Sequence, residues 1–315
     1  MTSSPRVLVA GSANLDFVVR APHVPAPGET VLGRDFATFP GGKGANQAVA
    51  CARAGGVPTR MLLALGEDPY GAVLESALAE AGVEALVVRA PGVASGTAFI
   101  CLSDDAENAI TVAPGANAQL RPQHLPPLHG VGHLLLQLET PLDTVAAYAQ
   151  AARAAGVKVM LNAAPAAALP AGLLENIDLL VVNEGELAAL AGEGTVAARA
   201  ARLPVPCVVV TLGARGCLAR TGEGIHLQPA FRVDAVDTTA AGDTFCGALA
   251  ARLAAGAALA DALRFASAAS ALACTRLGAQ ASVPARAEVD AWLSAHADDD
   301  AARATLAAYC GLPRS

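Results

Sequence analysis

The chain has 315 residues, a formal net charge of −7, 54% hydrophobic residues and 16% charged ones. This composition excludes a disordered chain, and an acidic balance without a Lys/Arg cluster excludes a nucleic-acid-binding surface. No run of about 18 apolar residues is present, because Arg252, Asp261 and Arg264 interrupt the most apolar stretch, 249–273. We therefore expect a cytoplasmic protein with no membrane segment and no nucleic-acid partner.

The cysteines and histidines do not suggest a metal or redox site. The seven cysteines are scattered and form no C-x-x-C pair, so we expect them to be small buried hydrophobes in a reducing compartment. His124, His129 and His133 fall in a Pro-rich connection without a neighbouring Cys or carboxylate cluster, and we assign them no metal.

The first predicted strand, 6–11, ends in a polar segment. Asn14 and Asp16 follow it with one residue between them, and in an extended segment this spacing places both side chains on one face. An amide and a carboxylate together suit sugar hydroxyls, because one accepts hydrogen bonds and the other both donates and accepts them. The alternative is an Asx turn.

A glycine-rich turn then enters an Ala-rich helix at 39–50. Lys43 and Asn46 lie three residues apart at the helix entrance and can face one pocket, while Gly41, Gly42 and Gly44 allow a small polyol to approach the backbone. The spacing is not that of a Walker A loop. An ordinary helix start does not explain three glycines with an ordered Lys and Asn, so we favour a functional interpretation.

The next segment interrupts the regular alternation of strands and helices. A strand is predicted at 57–65 and a helix at 68–81, but 97–102 and 108–112 then look like two strands around the polar turn 103–107. We expect this hairpin to pair with the region 16–36 as a small sheet, forming a lid over the Asn14 side.

From residue 131 the alternation is regular and predicts a mainly parallel sheet covered by helices on both faces. Strands are predicted at 131–138, 157–162, 179–183 and 207–212, and helices at 144–155 and 184–191. Ligands bind beyond the carboxyl ends of such strands. The polar residues at or near these ends are Glu139, Asn162, Asn183 and Thr211. The glycine-bracketed turn 212–216 could lie under a nucleotide.

The stretch 236–249 reads as a small-residue turn that runs straight into a helix. Ala240, Ala241 and Gly242 let a ligand approach the backbone, and the free amides at a helix start make an anion site. Asp243 stands in that site as a potential base, although an ordinary helix N-cap is the alternative. A second helix is predicted at 260–275, followed by the carbonyl-rich turn 276–282 and a short helix through Trp292.

The order of these motifs resembles the PfkB family of sugar and nucleoside kinases, and within it the ribokinases, over residues 6–293. The segments that carry the resemblance are 11–16, 27–30, 41–50, 183–186 and 237–245. The resemblance implies a ribokinase-like α/β fold, with a mainly parallel central sheet flanked by helices and a small β-sheet lid. The kinase domain would span 1–296, with lid segments at about 16–40 and 97–112, and an acidic Ala-rich tail would follow at 297–315.

The resemblance also implies ATP-dependent phosphorylation of D-ribose at its 5-hydroxyl. Asp243 resembles the general base and Ala240, Ala241 and Gly242 the anion hole. An aspartate of ordinary pKa, about 4, is ionised at neutral pH and can accept the proton. The ribose-binding positions would be Asn14, Asp16, Gly42, Lys43, Asn46, Glu139 and Asp243.

Further positions are implied for the nucleotide and for two cations. The nucleotide-site positions would be Asn183, Thr211, Gly213, Ala214, Arg215, Gly216, Gly242 and Ser267. Glu186 would serve magnesium indirectly. A potassium ion would be held largely by the backbone oxygens of Asp237, Thr239, Ala273, Arg276, Gly278 and Ser282. Ser267 departs from the family, which often has a histidine near the adenine. The open strand edges of the lid would be covered by a second lid, and ribokinases are commonly dimers of this kind. The resemblance therefore implies a homodimer through the lid.

Three other interpretations are weighed against this one. The first is a relative that phosphorylates another sugar or a nucleoside, although no aromatic wall for a base stands in the motifs beyond Phe39. The second is a sugar-binding protein without catalysis, against which the complete Asp243 segment argues. The third, a Rossmann dehydrogenase, lacks G-x-G-x-x-G after the first strand.

Overall fold

The computed structural model describes residues 6–104, 108–297 and 299–313. Of the polar turn predicted at 103–107, residues 105–107 lie outside the described residues. The strands are β1 (Arg6–Ala10), β2 (Asn14–Ala21), β3 (Arg34–Gly41), β4 (Thr59–Gly66), β5 (Val83–Ala90), β6 (Gly96–Ser103), β7 (Asn108–Ala113), β8 (Val131–Leu136), β9 (Lys158–Asn162), β10 (Leu179–Asn183), β11 (Cys207–Thr211), β12 (Gly216–Thr221) and β13 (Gly224–Pro229).

Helices connect most of these strands. They are α1 (Lys43–Arg53), α2 (Pro69–Glu80), α3 (Leu142–Ala154), α4 (Glu184–Ala191), α5 (Val196–Arg202), α6 (Ala241–Ala254), α7 (Leu259–Ala273), α8 (Arg286–Ala295) and α9 (Asp300–Cys310). Within the described ranges, no helix is both long and apolar enough to cross a bilayer.

The large sheet has the strand order β13-β12-β11-β10-β9-β8-β1-β4-β5. Neighbouring strands from β11 to β5 are parallel, whereas β12 and β13 form an antiparallel hairpin at one edge. Parallel strands need crossover connections, and the βα alternation supplies them. The predicted mainly parallel sheet is therefore confirmed, and its carboxyl ends meet along one rim.

A separate small sheet, which we call the lid, has the order β3-β2-β6-β7. Its central pair, β2 and β6, is parallel, and the two outer pairs are antiparallel. The predicted hairpin strands are confirmed as β6 and β7, and the predicted pairing with the region after Asp16 is confirmed as β2 against β6. Only the short segment 11–13 separates β2 from β1 of the large sheet.

Strand β1 shows why both faces of the large sheet are covered. Val7 and Val9 pack into the core formed with α1, α6 and α7, whereas Leu8 and Ala10 pack into the core formed with α3, α4 and α5. Alternating side chains point to opposite faces of a strand, so a continuous apolar run requires a helical layer on each side.

Several elements were not predicted from the sequence. These are β5, α5, the hairpin β12–β13 and α9. The sequence predicts only an acidic tail from residue 297, but α9 packs against the edge of the large sheet through Leu306 and Cys310, which are 2% and 0% exposed. The C-terminal segment is thus part of the folded body over Asp300–Cys310.

Candidate active site

The first turn of α6 carries the candidate base. Its N-cap is Ala240, in the left-handed conformation at φ 57° and ψ 14°, and the amide of Thr244 donates the first helical hydrogen bond to the Ala240 carbonyl at 2.8 Å. The Ala241 amide donates to Thr238 at 3.2 Å, while the amides of Gly242 and Asp243 have no intrahelical acceptor. Asp243 therefore stands three residues inside the helix, and the N-cap alternative is wrong.

Two side-chain amides from α1 hold the carboxylate of Asp243. Asn46 Nδ2 donates to Oδ2 at 3.0 Å, and Gln47 Nε2 donates to Oδ1 at 2.9 Å. Gln47 is itself fixed by Gln137, whose Nε2 donates to Gln47 Oε1 at 2.7 Å, and Gln47 Nε2 also lies 3.0 Å from Asn162 Oδ1. All these side chains are buried, so the base has a defined orientation before any substrate arrives.

Burial changes the titration of this site. Burial, helped by repulsion from Glu139, raises the pKa of Asp243, which is 7% exposed, and the Lys43 charge and the Asn46 and Gln47 hydrogen bonds oppose this rise without cancelling it. The expectation of an ordinary pKa is therefore wrong. For Lys43, burial alone would lower the pKa, but the carboxylates of Asp243, Glu139 and Glu186 together outweigh it and raise the pKa.

The other predicted polar residues near Asp243 lie on the lid side. Asn14 and Asp16 both belong to β2, so the Asx-turn alternative is wrong. Asn117 Nδ2 donates to Asn14 Oδ1 at 2.8 Å, and the Asp16 carboxylate packs on Gly41, where an added Cβ would lie 2.1 Å from Oδ2. Burial, followed by repulsion from Glu139 and Asp243, raises the pKa of Asp16 from 3.8 to about 7.

Glu139 connects the large sheet to the start of α1. Its Oε2 accepts hydrogen bonds from Ser12 Oγ at 2.5 Å and from the Lys43 amide at 3.0 Å. Gly42, at φ 88°, approaches the chain so closely that a Cβ would lie 2.7 Å from the Asn14 amide nitrogen. Glycine is required there by both the backbone conformation and the space. The predicted polyol-binding residues therefore share one region.

A cavity of about 210 Å³ adjoins Asp243. It is lined by predicted residues from five segments together with others that were not predicted. The predicted ones are Lys43, Asn162, Asn183, Glu186, Thr211, Ala240, Ala241, Gly242 and Asp243, and the additional ones are Ala164, Val181, Thr238 and Cys246. The strands β10 and β11 end at this cavity, as expected for a parallel sheet.

Asn183 and Glu186 fix each other at the start of α4. The Glu186 amide donates to Asn183 Oδ1, and the Asn183 amide donates to Glu186 Oε2, both at 2.8 Å. This capping box keeps both side chains at the cavity wall. Burial raises the pKa of Glu186, and its hydrogen bond from Asn183 opposes that rise.

The other residues predicted to bind the nucleotide are described by the structure but do not line this cavity. The turn Gly213–Arg215 follows β11 and is exposed, with Gly213 at φ 55° and Gly216 at φ 112°. Ser267 lies on α7 and is 8% exposed, next to the thiol of Cys217. The turn thus closely follows Thr211, which lines the cavity, whereas Ser267 does not line it.

The predicted potassium ligands are brought together by hydrogen bonds between two segments. Asp237 accepts from the Thr239 amide and from the Gly278 amide, both at 2.9 Å, and the Cys274 carbonyl accepts from the Val236 and Asp237 amides. Ser282 is 1% exposed and donates to the Ala279 carbonyl. The Arg276 guanidinium pairs with Glu288 and has no acceptor atom, so a cation could be held only by the backbone oxygen of this residue.

The fold and the sequence agree with those of known proteins. A family model described as pfkB family carbohydrate kinase matches residues 4–286. The chain belongs to this kinase family. It is 38% identical to a ribokinase of Haemophilus influenzae over 293 residues, covering 89% of this chain and 95% of that protein.

Solved structures of the same family superpose on nearly the whole chain. A ribokinase from Thermotoga maritima has a TM-score of 0.87 at 38% identity, covering 92% of this chain and 99% of that one. An Arabidopsis thaliana ribokinase complexed with ribose and ATP has a TM-score of 0.83 at 34% identity, covering 91% and 98%. The predicted membership of the PfkB family is confirmed.

Gln47 and Gln137 are the supports of the base that the sequence interpretation missed. Gln47 stands next to Asn46 in the glycine-rich motif, and its place in that motif was the signal that could have marked it. Gln137 follows β8, two residues before Glu139, and carried no comparable signal. Neither residue lines the cavity, yet Gln47 holds Asp243 and Gln137 holds Gln47.

Proposed function

We propose that this kinase transfers a phosphoryl group from ATP to the 5-hydroxyl of D-ribose, giving D-ribose 5-phosphate. The observation that carries the proposal is the position of Asp243. Its carboxylate lies at the start of α6, between the lid-side polar residues and the cavity at the ends of β10 and β11. The ribokinases with which the chain shares its fold and more than a third of its residues support this substrate choice.

Asp243 acts as the general base in this proposal. It accepts the proton of the attacking hydroxyl while the amides of the turn 240–243 stabilise the charge on the transferred phosphoryl group. Asn46 and Gln47 hold the carboxylate so that this step needs no rearrangement of the base. Phosphoryl transfer depends mainly on such positioning and on charge stabilisation.

The sugar is bound by the lid-side residues. The Oδ1 atom of Asn46 is buried and has no hydrogen-bond partner among the described residues, so a sugar hydroxyl can donate to it. Asp16 and Glu139 supply further acceptors, and Lys43 supplies positive charge beside the transferred group. The other members of the set are Asn14 and Gly42. Closure of the lid would exclude water from the reacting atoms and limit ATP hydrolysis.

ATP binds along the rim in this proposal, with its phosphates toward Ala240, Ala241 and Gly242. The set on the rim is Asn183, Thr211, Gly213, Ala214, Arg215, Gly216 and Ser267. Glu186 would help to hold magnesium without binding it directly. Its Oε2 atom accepts the Asn183 hydrogen bond, and its other carboxylate oxygen, on a residue that lines the cavity, fits that task. When bound, magnesium neutralises charge on the phosphates.

The segments beside the anion hole would hold an activating potassium ion in this proposal. The oxygens that would hold it are those of Asp237, Thr239, Ala273, Arg276, Gly278 and Ser282, and the hydrogen bonds of Asp237 to this loop support the grouping. Carboxylate and carbonyl oxygens are suitable donors for a hard cation. When bound, potassium adds positive charge next to the turn that receives the phosphoryl group.

Two copies of the chain associate through their lids in this proposal. The lid exposes large apolar side chains, with Leu32 at 89%, Phe36 at 67%, Ile110 at 56% and Phe99 at 53%. A second lid would cover them and would also cover the unpaired strand edges. Size-exclusion chromatography with light scattering at micromolar concentration should give a dimer mass, and a monomer mass contradicts the proposal.

The experiment that tests the activity is a coupled ADP-release assay with D-ribose, 2-deoxyribose, fructose and adenosine as acceptors. Each acceptor is assayed with potassium and with sodium in its place. We expect the highest kcat/KM for D-ribose and a lower rate without potassium. A clear preference for another acceptor contradicts the assignment of ribose, and no acceptor-dependent ADP release contradicts the kinase.

A further inference from the structure

Helix α9 places one aromatic side chain between two segments of the nucleotide rim. The Tyr309 hydroxyl donates a hydrogen bond to Glu184 Oε1 at 2.6 Å, and the Arg215 guanidinium lies over the Tyr309 ring at 4.2 Å from its centre. Arg215 and Glu184 also form an ion pair at 3.9 Å. Glu184 follows Asn183 directly, and Arg215 belongs to the turn after β11.

The position of Tyr309 is fixed by the packing of its helix. Leu306 and Cys310, on either side of Tyr309 in sequence, are buried in the core that α3, α4 and α5 share with the large sheet. Gly311 ends the helix at φ 79°, and a Cβ there would lie 2.5 Å from Thr195 Cβ, so the helix end fits closely against the start of α5. The ring is therefore presented from a rigid support.

We propose that Tyr309 is a positioning residue that sets the geometry of the nucleotide rim. It acts by keeping the start of α4 and the turn 213–216 at a fixed separation, with Arg215 held over the ring and Glu184 held by the hydroxyl. The proposal rests on the proposed binding of ATP at this rim. A rim that is ordered before ATP arrives loses less conformational entropy on binding.

This contribution comes from outside the part of the chain that the family model matches. That match ends at residue 286, whereas α9 begins at Asp300. Stacking with a guanidinium and a hydrogen bond to a carboxylate are separable interactions, because the first needs only the ring and the second needs the hydroxyl. Two substitutions at Tyr309 can therefore measure them apart.

The test compares full-length Tyr309→Ala and Tyr309→Phe with Thr305→Ala, a control at an exposed position of the same helix. Steady-state kinetics are measured with ATP and ribose varied in turn. We expect Tyr309→Ala to raise KM for ATP about three- to tenfold, and Tyr309→Phe to raise it less because the ring still stacks on Arg215. KM for ribose, kcat at saturating ATP and the values of Thr305→Ala should stay at the wild-type level.

An unchanged KM for ATP in Tyr309→Ala would overturn the proposal. Equal increases in KM for ATP and for ribose would also overturn it, because they indicate general disturbance of the fold. Calorimetric titration with ADP gives the nucleotide affinity of each variant without any sugar. It keeps this inference separate from the choice of acceptor, since a weaker ADP affinity in Tyr309→Ala supports it even when ribose is not phosphorylated.

Discussion

The hydrogen bond from Gln47 to the Asp243 carboxylate leads to the most specific prediction. Gln47→Leu roughly preserves the side-chain volume but removes the donor to Asp243 Oδ1 and the acceptor for Gln137. A hydrogen bond to a charged group contributes about 1.5–3 kcal/mol, and each 1.36 kcal/mol of barrier is a factor of ten in rate. If the bond acts fully in the transition state, kcat falls about 10- to 100-fold.

The direction of the pH dependence follows from the same contact. The Gln47 hydrogen bond favours the ionised carboxylate and so opposes the rise in the pKa of Asp243 that burial causes. Without it the pKa of Asp243 rises further, because the charged form loses a donor. The acidic limb of the kcat–pH profile should therefore move to higher pH in Gln47→Leu.

The assay is kcat at saturating ATP and sugar, measured from pH 5 to about pH 9 to bracket the titration. Gln137→Leu is the matched control, since it removes the support of Gln47 without touching Asp243. We expect the control to lower kcat less and to shift the acidic limb less. A folded Gln47→Leu protein with wild-type kcat and an unshifted acidic limb would refute this reasoning.

Three further predictions concern the same region. Asp243→Ala should keep the fold and lose on the order of 10²–10⁴ in kcat, since the base is removed; near-normal turnover would contradict its role. The pKa of Asp16 is about 7 in the folded chain against 3.8 ordinarily, so its contribution to stability is complete below about pH 4 and is lost as the pH rises through 7. Asp16→Asn should thus reduce the fall in the free energy of unfolding between pH 5 and 8 by up to about 2.7 kcal/mol, since about two pH units of this titration lie in that range, and an equal fall in the variant and the unsubstituted protein would contradict this. Gly247→Ala should lower the midpoint of thermal unfolding by the equivalent of about 1–3 kcal/mol, because its Cβ would lie 2.3 Å from the Gln47 carbonyl oxygen; an unchanged midpoint would contradict the close packing of α1 on α6.

The parallel sheet could be predicted because its strands are continuous apolar runs followed by helical segments. In β10 and α4 the predicted bounds, 179–183 and 184–191, are those of the structure. The lid hairpin was predictable because two short strands around a polar turn broke the alternation. These signals are local, because the hydrophobic pattern of neighbouring residues indicates a buried strand or the period of a helix.

The missed elements carry weaker local signals. Strand β5 includes Glu84 and Arg89, and α9 offers only Leu306 and Cys310 as fully buried side chains in an Ala-rich segment. The hold of Gln47 on Asp243 joins residues 196 positions apart, and it exists only because α1 and α6 pack side by side. Contacts of this kind depend on the tertiary arrangement. The motifs therefore predicted which residues belong to the site better than they predicted the hydrogen bonds between them.

The junction between β1 and β2 has a consequence for how such kinases can diversify. β1 belongs to the large sheet and β2 to the lid, and only the segment 11–13 joins them. Asp16 is therefore carried by the lid, whereas Asp243 is carried by a helix on the large sheet. Substitutions in the lid strands can alter which acceptor is recognised while the base and its amide supports stay intact. The part of acceptor recognition that Asp16 would carry is thus structurally separate from the base, whereas the part that Asn46 would carry is coupled to it through the hydrogen bond to Asp243.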